Sequence, residues 1–453
     1  MTISSEASAT PEPVNDAMQR SRKRYRGIAA AALSAFFGKG LSLLVNAATV
    51  PITVRYLGAE RYGLWITISS AVAMFFVLDI GISNTLTNLI SEAHANNNRE
   101  LAATYFATAF WVIVGIAICF GVSGWFAWPY LHWASIFHVR EPALALETSR
   151  AMAAAFIVFL IALPSGLTTK VLAGYQELHT ANFFTAGGSI LSLLAVVAVV
   201  YLHGSLPLLV AAYAGASVVA NITCLLWMCI FRKPWMKPWP ARIRRNFIGQ
   251  IFHSGIQFFG IQVAGFVVFS SDNLVISHYL SPAQVTPYSV TWRLVGYIAA
   301  IQTLIFPALW PAYSEAYTSG HLDWIRSTYR HVRRVTTAVL AAGCIVMILF
   351  GRSMIHLWAG PDAVPGELLV WLMCVWIVIY AFTTNQSCLM GATSRIKKQA
   401  IASLLGAAAN LTLSILWVKT MGVTGVMAGT IVAYLTFIVL PQVLEVRSIL
   451  RGR

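Results

Sequence analysis

Charge is what this chain has least of. Only 10% of its 453 residues are charged and 58% are hydrophobic, against about 25% charged in ordinary soluble proteins. Folding as a water-soluble globule is excluded. Acids are scarcer than bases, 16 against 31, and "LHWASIFHVREPALALETSR", the longest outer loop in the span reading below, holds acids and histidines without the tight constellation that catalysis needs. His253 and His356 stand alone. The six cysteines, Cys119, Cys224, Cys229, Cys344, Cys374 and Cys388, lie in or beside apolar runs without metal-ligand spacing and read as small buried hydrophobes. No catalytic residue, metal site or cofactor is therefore expected. The first 19 residues lack the apolar core of a cleavable secretory signal, so the start reads as a solvated cytoplasmic tail.

Long apolar runs are plentiful. With about 20 apolar residues as the length of one span, the spacing predicts an all-α polytopic membrane protein with about 12 transmembrane helices. Approximate limits are 28–54, 62–90, 102–130, 150–168, 180–202, 206–231, 248–271, 283–311, 335–352, 366–386, 399–418 and 423–446. With both termini cytoplasmic, only Arg55, Arg61, Arg140, Arg150, Arg352 and Lys419 fall outside, and most of the other basic residues fall inside. That asymmetry follows the positive-inside rule, so the net charge of +15 calls for no nucleic-acid partner.

The two halves resemble one another. "VRYLGAERYGLW" has a counterpart in "SHYLSPAQVTPYSV", and "KVLAGYQELHTANFFTAGGSILSLL" in "SCLMGATSRIKKQAIASLLGAAANL", which pairs Leu57 with Leu280 and Gly174 with Gly391. An even number of spans per half makes the repeat parallel, an architecture that encloses a central cavity between two lobes. The expected domains are a polar tail (1–27), a six-span lobe (28–231), a basic cytoplasmic linker (232–247), a second six-span lobe (248–446) and a short cytoplasmic tail (447–453). In the linker "FRKPWMKPWPARIRRN", Trp235 and Trp239 read as headgroup anchors with the cations on anionic lipid.

The stretch "YLGAERYGLWITISSAVAMFFVLDIGISNTLTNLISEAHANNN" resembles the second-span region of Wzx-type polysaccharide flippases, members of the multidrug/oligosaccharidyl-lipid/polysaccharide (MOP) exporter superfamily. Leu57, Gly58, Tyr62, Gly63, Leu64, Asp79, Gly81 and Asn88 carry the pattern, and "LAGYQE" and "LMGATSR" are similar to the family's repeat. The resemblance implies a multi-pass protein of the bacterial inner membrane. It would move a polyprenyl-pyrophosphate-linked oligosaccharide to the periplasmic leaflet for exopolysaccharide, capsule or O-antigen assembly. Membrane lipids, a polysaccharide polymerase and other assembly proteins would be its partners. A multidrug or cation antiporter of the same superfamily is the alternative, but its cavity would carry net acid to hold bound cations. A lipid II flippase commonly has spans beyond the twelfth, and a lipid-dependent glycosyltransferase or acyltransferase would need a catalytic cluster.

Charges inside the spans mark the candidate site. A lysine at the bilayer centre costs roughly +2.5 kcal/mol or more, yet Lys39 sits about 16 Å into span one at about 1.5 Å per residue. Asp79 lies at similar depth in span two, and Arg293 about 15 Å into span eight. Lys39, Ser42, Asn46, Thr49 and Thr53 share one helix face, as do Asp79, Ser83 and Thr87, and Thr286, Ser289, Arg293 and Tyr297. Such stripes should face a watery cavity or one another. The repeat places Gln262 opposite Lys39 and Gln302 opposite Asp79. In one reading Lys39 and Asp79 form a packing ion pair while Arg293 bonds to carbonyls. In the other, Lys39, Arg293, Asn46 and Tyr297 bind the substrate, its pyrophosphate held by the two cations, and Asp79 holds or couples to Lys39. Arg55, Lys170 and Asp272 read as snorkelling residues near span ends. Trp65, Trp292 and Trp310 read as interface anchors or sugar platforms. Pro51, Pro164, Pro307 and Pro311 are candidate kinks.

Overall fold

The computed structural model describes residues 14–75, 79, 81–244, 246–249, 263, 265, 270–318, 320–393 and 397–451, and the side chains of most of these from Phe37 onward, those at 84, 301, 303–305, 307–308, 311–312, 315, 318 and 397–398 excepted. Among them there is no strand. The long helices are α1 (Val14–Phe75), α2 (Ile82–Ala95), α3 (Arg99–Ala127), α4 (Pro142–Gly174), α5 (Leu178–Tyr201) and α6 (Leu206–Trp227), then α7 (Pro282–Thr318), α8 (Leu322–Ala359), α9 (Glu367–Ala392) and α10 (Lys397–Met421). A last one, α11 (Val423–Leu450), includes a π-helical turn over Tyr434–Val439. Nine helices among the described residues are long and apolar enough to cross a membrane, so the chain is a multi-pass membrane protein.

One expected span takes a different form. Span 62–90 is not one helix: α1 breaks at Gly58 (φ 70°), its second arm runs on to Phe75, and α2 starts only at Ile82. Between them Gly81 adopts φ 70°, a left-handed conformation that glycine reaches without the strain a Cβ brings. The Asp79 carboxylate accepts the Ser83 backbone N–H at 3.1 Å and the Ser83 hydroxyl at 3.1 Å, satisfying a donor that a helix start leaves free. The Asp-x-Gly motif is thus a helix break with its own cap. Span 248–271 lies almost wholly outside the described residues, as does Gln262.

Two glycines mark close helix contacts. A Cβ on Gly174 would stand 2.7 Å from the Ile90 side chain on α2, and one on Gly391 would collide with the Trp310 ring on α7.

One apolar cluster draws buried residues from both halves of the chain, among them Leu57, Tyr62, Phe137, Val285, Ile355 and Ala363. A second, around Ile90, Phe106 and Leu172, comes from the first half alone. A third, around Tyr313, Tyr329 and Leu389, comes from the second half alone. Among the described residues, then, an apolar cluster joins the halves at one end, and no cluster draws on both halves at the other.

Two of the polar contacts at the sealed end use carbonyls that helix geometry leaves free. Pro51 has no N–H for the Ala47 carbonyl one turn back, and that carbonyl accepts the Trp358 indole N–H at 2.9 Å. Leu357 lies in the last turn of α8, where carbonyls lack helical partners, and its oxygen accepts the Arg55 guanidinium at 2.9 Å. The Thr286 hydroxyl donates to the Ala59 carbonyl at 2.5 Å beside the Gly58 break. Gly63 completes the seal, because a Cβ there would run into the Pro282 carbonyl. Replacing Gly63 with alanine is expected to weaken the seal by about 1–3 kcal/mol. Cross-linking between Ala59→Cys and Thr286→Cys reads this directly: Gly63→Ala lowers the yield, and an unchanged yield contradicts the packing.

Candidate functional site

Two adjoining cavities lie where the halves meet, with Trp292 in the wall of both. The first, about 310 Å³, is lined by Lys39 and Leu43 of α1 and by second-half residues including Val295, Ala299, Trp376 and Tyr380. The second, about 240 Å³, is lined by Ser69 and Ser70 of α1, by Asp272 and Asn273, and by Tyr288, Ser289 and Arg293 of α7. Lys39 and Arg293 therefore open into neighbouring spaces on either side of one indole.

Trp292 is fixed by its neighbours. Its ring stacks at 6.2 Å and 17° on Tyr288 and at 6.0 Å and 25° on Trp376. It is a cavity wall and not an interface anchor. Trp65 is buried against Tyr213 at 5.2 Å, and Trp310 covers Gly391.

Arg293 sits among phenols. Tyr62, Tyr213 and Tyr297 are near enough to act on its charge, and among the described residues it forms no ion pair and no hydrogen bond. Tyr213 donates to the Asn46 side-chain oxygen at 3.3 Å, and Asn46 donates to the Ser42 carbonyl at 2.8 Å. The four residues expected to bind substrate thus fall into one neighbourhood, although Asn46 and Tyr297 reach it through the aromatic layer and line neither cavity.

The polar stripe of α1 divides. Lys39 and Leu43 face the second half, while Ser42 meets Ser189 at 3.0 Å on α5 and Thr49 and Thr53 are buried and bonded to their own helix. A shared face satisfied the stripe mostly from within.

Asp79 does not pair with Lys39; no such ion pair occurs among the described residues. Its carboxylate is held by Ser83, and the cation whose charge reaches it is Lys170 on α4. Thr87 continues this contact to the Lys170 carbonyl at 3.4 Å. The acid is committed to the helix break. Gln302, its counterpart in the repeat, is buried and donates to the Ala381 carbonyl at 3.0 Å.

Asp272 is not a snorkelling residue. It is 3% exposed, accepts the Tyr288 hydroxyl at 2.6 Å and the Thr430 hydroxyl at 3.5 Å, and lines the cavity that contains Arg293. Its second oxygen has no hydrogen-bond partner among the described residues. Arg293 thus has an acid at its own cavity, which span limits placing Asp272 just past a helix end concealed. The run Ser270, Ser271, Asp272, Asn273, set in apolar sequence, was the signal for it.

A multi-pass, all-helical chain whose halves meet at a polar cavity has the fold of a MOP exporter. It is similar to the inward-facing structure of a multidrug-resistance MATE family transporter of the MOP superfamily, with a TM-score of 0.77 at 15% identity over 91% of this chain and 96% of that one. The chain belongs to the polysaccharide biosynthesis protein family, whose sequence pattern matches residues 25–317. A Salmonella typhimurium protein named for O-antigen transport is 22% identical over 88% of this chain and 92% of its own length. A Yersinia pseudotuberculosis protein named for O-antigen export is 21% identical over 89% and 92%. The resemblance seen in the sequence is borne out at the level of family and fold, and the relatives that share the family are named for transport and export.

The cap and the absent ion pair make separate predictions. Asp79→Asn keeps an acceptor for the Ser83 N–H and is expected to fold normally, whereas Asp79→Ala lowers stability by about 1 kcal/mol. In a thermal-unfolding double-mutant cycle, Lys39→Ala and Asp79→Ala add within about 0.5 kcal/mol. A larger coupling would restore the ion pair.

Proposed function

We propose that this transporter moves a polyprenyl-pyrophosphate-linked oligosaccharide from the cytoplasmic to the periplasmic leaflet of the bacterial inner membrane, by alternating access of two six-span lobes. The observation that carries the reading is a lysine and an arginine from opposite halves, flanking one tryptophan, with no carboxylate paired to either among the described residues. A pyrophosphate is what such a pair suits: arginine can grip phosphate oxygens bidentately, and lysine adds a point charge. Asn46 and Tyr297 then act behind the cations, holding the phenol layer around Arg293.

The seal supports the direction. Under the positive-inside orientation, with both termini in the cytoplasm, the joined end is periplasmic and the separated end cytoplasmic. In this state substrate enters from the leaflet where its sugars are added. Closure of the cytoplasmic end and rupture of the seal would complete the cycle, the glycan crossing the polar cavities while the polyprenyl tail stays in lipid. The domain limits at 28–231 and 248–446 belong to this reading, as do an assembly polymerase and its companion proteins as partners.

A second reading is export of a cationic compound on the same scaffold, and Asp272 in the cavity wall favours it. Arg293 lining the same cavity works against it, because a bound cation would meet a fixed like charge.

The test is transbilayer movement of a polyprenyl-pyrophosphate oligosaccharide in proteoliposomes. Lys39→Ala and Arg293→Ala, each removing a charge-assisted contact, are expected to slow it roughly tenfold or more, with Arg293→Lys intermediate. Transport that survives both alanine substitutions would remove the cations from the substrate site. Transport of a cationic dye, abolished by Asp272→Asn, would favour the second reading.

A further inference from the structure

A larger polar cavity lies elsewhere. It measures about 560 Å³ and is lined by His94, Asn97, Arg99, Tyr175, Glu177 and Lys233, among others. Two interhelical turns and the linker between the halves build it. The turn from α2 to α3 places Asn97 at φ 52°, and the turn from α4 to α5 places Gln176 at φ 60°; both are left-handed conformations that non-glycine residues adopt infrequently. The helix starts at Arg99 and Leu178 flank the cavity, and helix starts carry partial positive charge.

The linker is docked. Trp111 of α3 donates its indole N–H to the Pro238 carbonyl at 2.8 Å, the Arg244 N–H reaches the Thr108 hydroxyl at 3.3 Å, and Arg242 bonds to the Trp235 carbonyl. Lys233 is 5% exposed, its ammonium 2.9 Å from Glu177 Oε1 and 4.1 Å from the Tyr175 ring centre. Arg232 reaches the same Glu177 oxygen at 3.4 Å. Trp239 remains 60% exposed, as an anchor in the headgroup region would be, whereas Trp235 lies beneath Arg99.

Three groups in this cavity are left with chemistry to spare, one of them the buried Trp235 indole N–H, which has no hydrogen-bond partner among the described residues. The Arg99 guanidinium lies 4.7 Å over the Trp235 ring and forms no ion pair among the described residues. Glu177 Oε2 is buried without a hydrogen-bond partner, although Oε1 takes two cations. A ligand that satisfies all three must bring an anionic acceptor, for Arg99 and the Trp235 N–H, together with a hydrogen-bond donor, for Glu177 Oε2. The Tyr175 and Trp235 faces are already covered by Lys233 and Arg99, which argues against a ligand that stacks.

The level of the cavity identifies the source. Candidate spans begin at Arg99 and Leu178 and end at Gly174 and Arg232, so four span limits converge on it. Phe231 and Ile230, beside it in sequence, are 76% and 52% exposed, as lipid-facing residues are. That is the headgroup layer.

The geometry points to a binding site for an aminophospholipid headgroup, of the phosphatidylethanolamine type, with its phosphate on Arg99 and its ammonium on Glu177 Oε2. The site is independent of the transported substrate. By occupying the junction of linker and first half, the lipid holds in place the segment that joins the two halves.

Native mass spectrometry and thermal unfolding of the full chain in detergent test this, with phosphatidylethanolamine, phosphatidylglycerol and inorganic phosphate as separate probes. The intact protein is expected to retain and be stabilised by phosphatidylethanolamine in preference to phosphatidylglycerol. Arg99→Gln, at an exposed residue outside any ion pair, weakens that binding roughly tenfold or more. Glu177→Gln erases the preference between the two lipids. Equal affinity for both lipids in the intact protein would overturn the assignment, as would unaltered binding by Arg99→Gln. Displacement of the lipid by inorganic phosphate would make this a free-anion site and overturn it equally.

Discussion

The seal at one end of the molecule is the constraint on which the rest depends. Apolar area shared between the halves supplies its attraction, at roughly 25 cal/mol per Å² buried, and freed carbonyls supply its register. Pro51 and the last turn of α8 each leave an oxygen that the opposite half fills with Trp358 or Arg55, and these two bonds cost no helical hydrogen bond because the helices had none to give there. Beside the Gly58 break the Ala59 carbonyl takes the Thr286 hydroxyl as a further partner. A seal assembled in this way is specific in register and can part without unravelling a helix.

With one end joined, the other end separates and the space between has to be lined. Its lining is chemically unequal. The first half brings Lys39, Ser69 and Ser70, and the second brings Arg293, Asp272 and the Tyr288–Trp292–Trp376 column. Asp272 is tied to Tyr288 and Thr430, whereas Arg293 stands among phenols. Among the described residues Arg293 has no ion pair, and that is the feature the proposed pyrophosphate-bearing substrate would use.

Much of this was legible in sequence. Apolar runs gave the membrane class, and the order of Gly, Tyr and Asp motifs gave the family. Lys39 and Arg293 stood out because isolated cations are expensive in apolar helices. What periodicity could not supply was direction. Asn46 shares a face with Lys39, yet about two turns of helix further on it meets Tyr213 and not the cavity. Asp79 looked like a partner for Lys39 because depth along an ideal helix was the only ruler, and the break at Gly81 removes that ruler. Asp272 was hidden for a related reason: a span limit a few residues off turns a buried carboxylate into an apparent surface one. Long helices such as α7 and α8, which run past the expected limits at 283–311 and 335–352, show how far the apolar core of a helix understates its length.

The most direct measurement is of distance. Spin labels on a pair spanning the separated end, Asn97 and Asp323, and on a pair spanning the sealed end, Leu131 and Leu357, can be followed by pulsed electron resonance in nanodiscs. Adding a polyprenyl-pyrophosphate oligosaccharide is predicted to shorten the first distance and lengthen the second in a sub-population, and the Lys39→Ala, Arg293→Ala double variant is predicted to remain as it was. Distances that ignore the substrate, or that respond equally to the glycan without its pyrophosphate, would contradict the account.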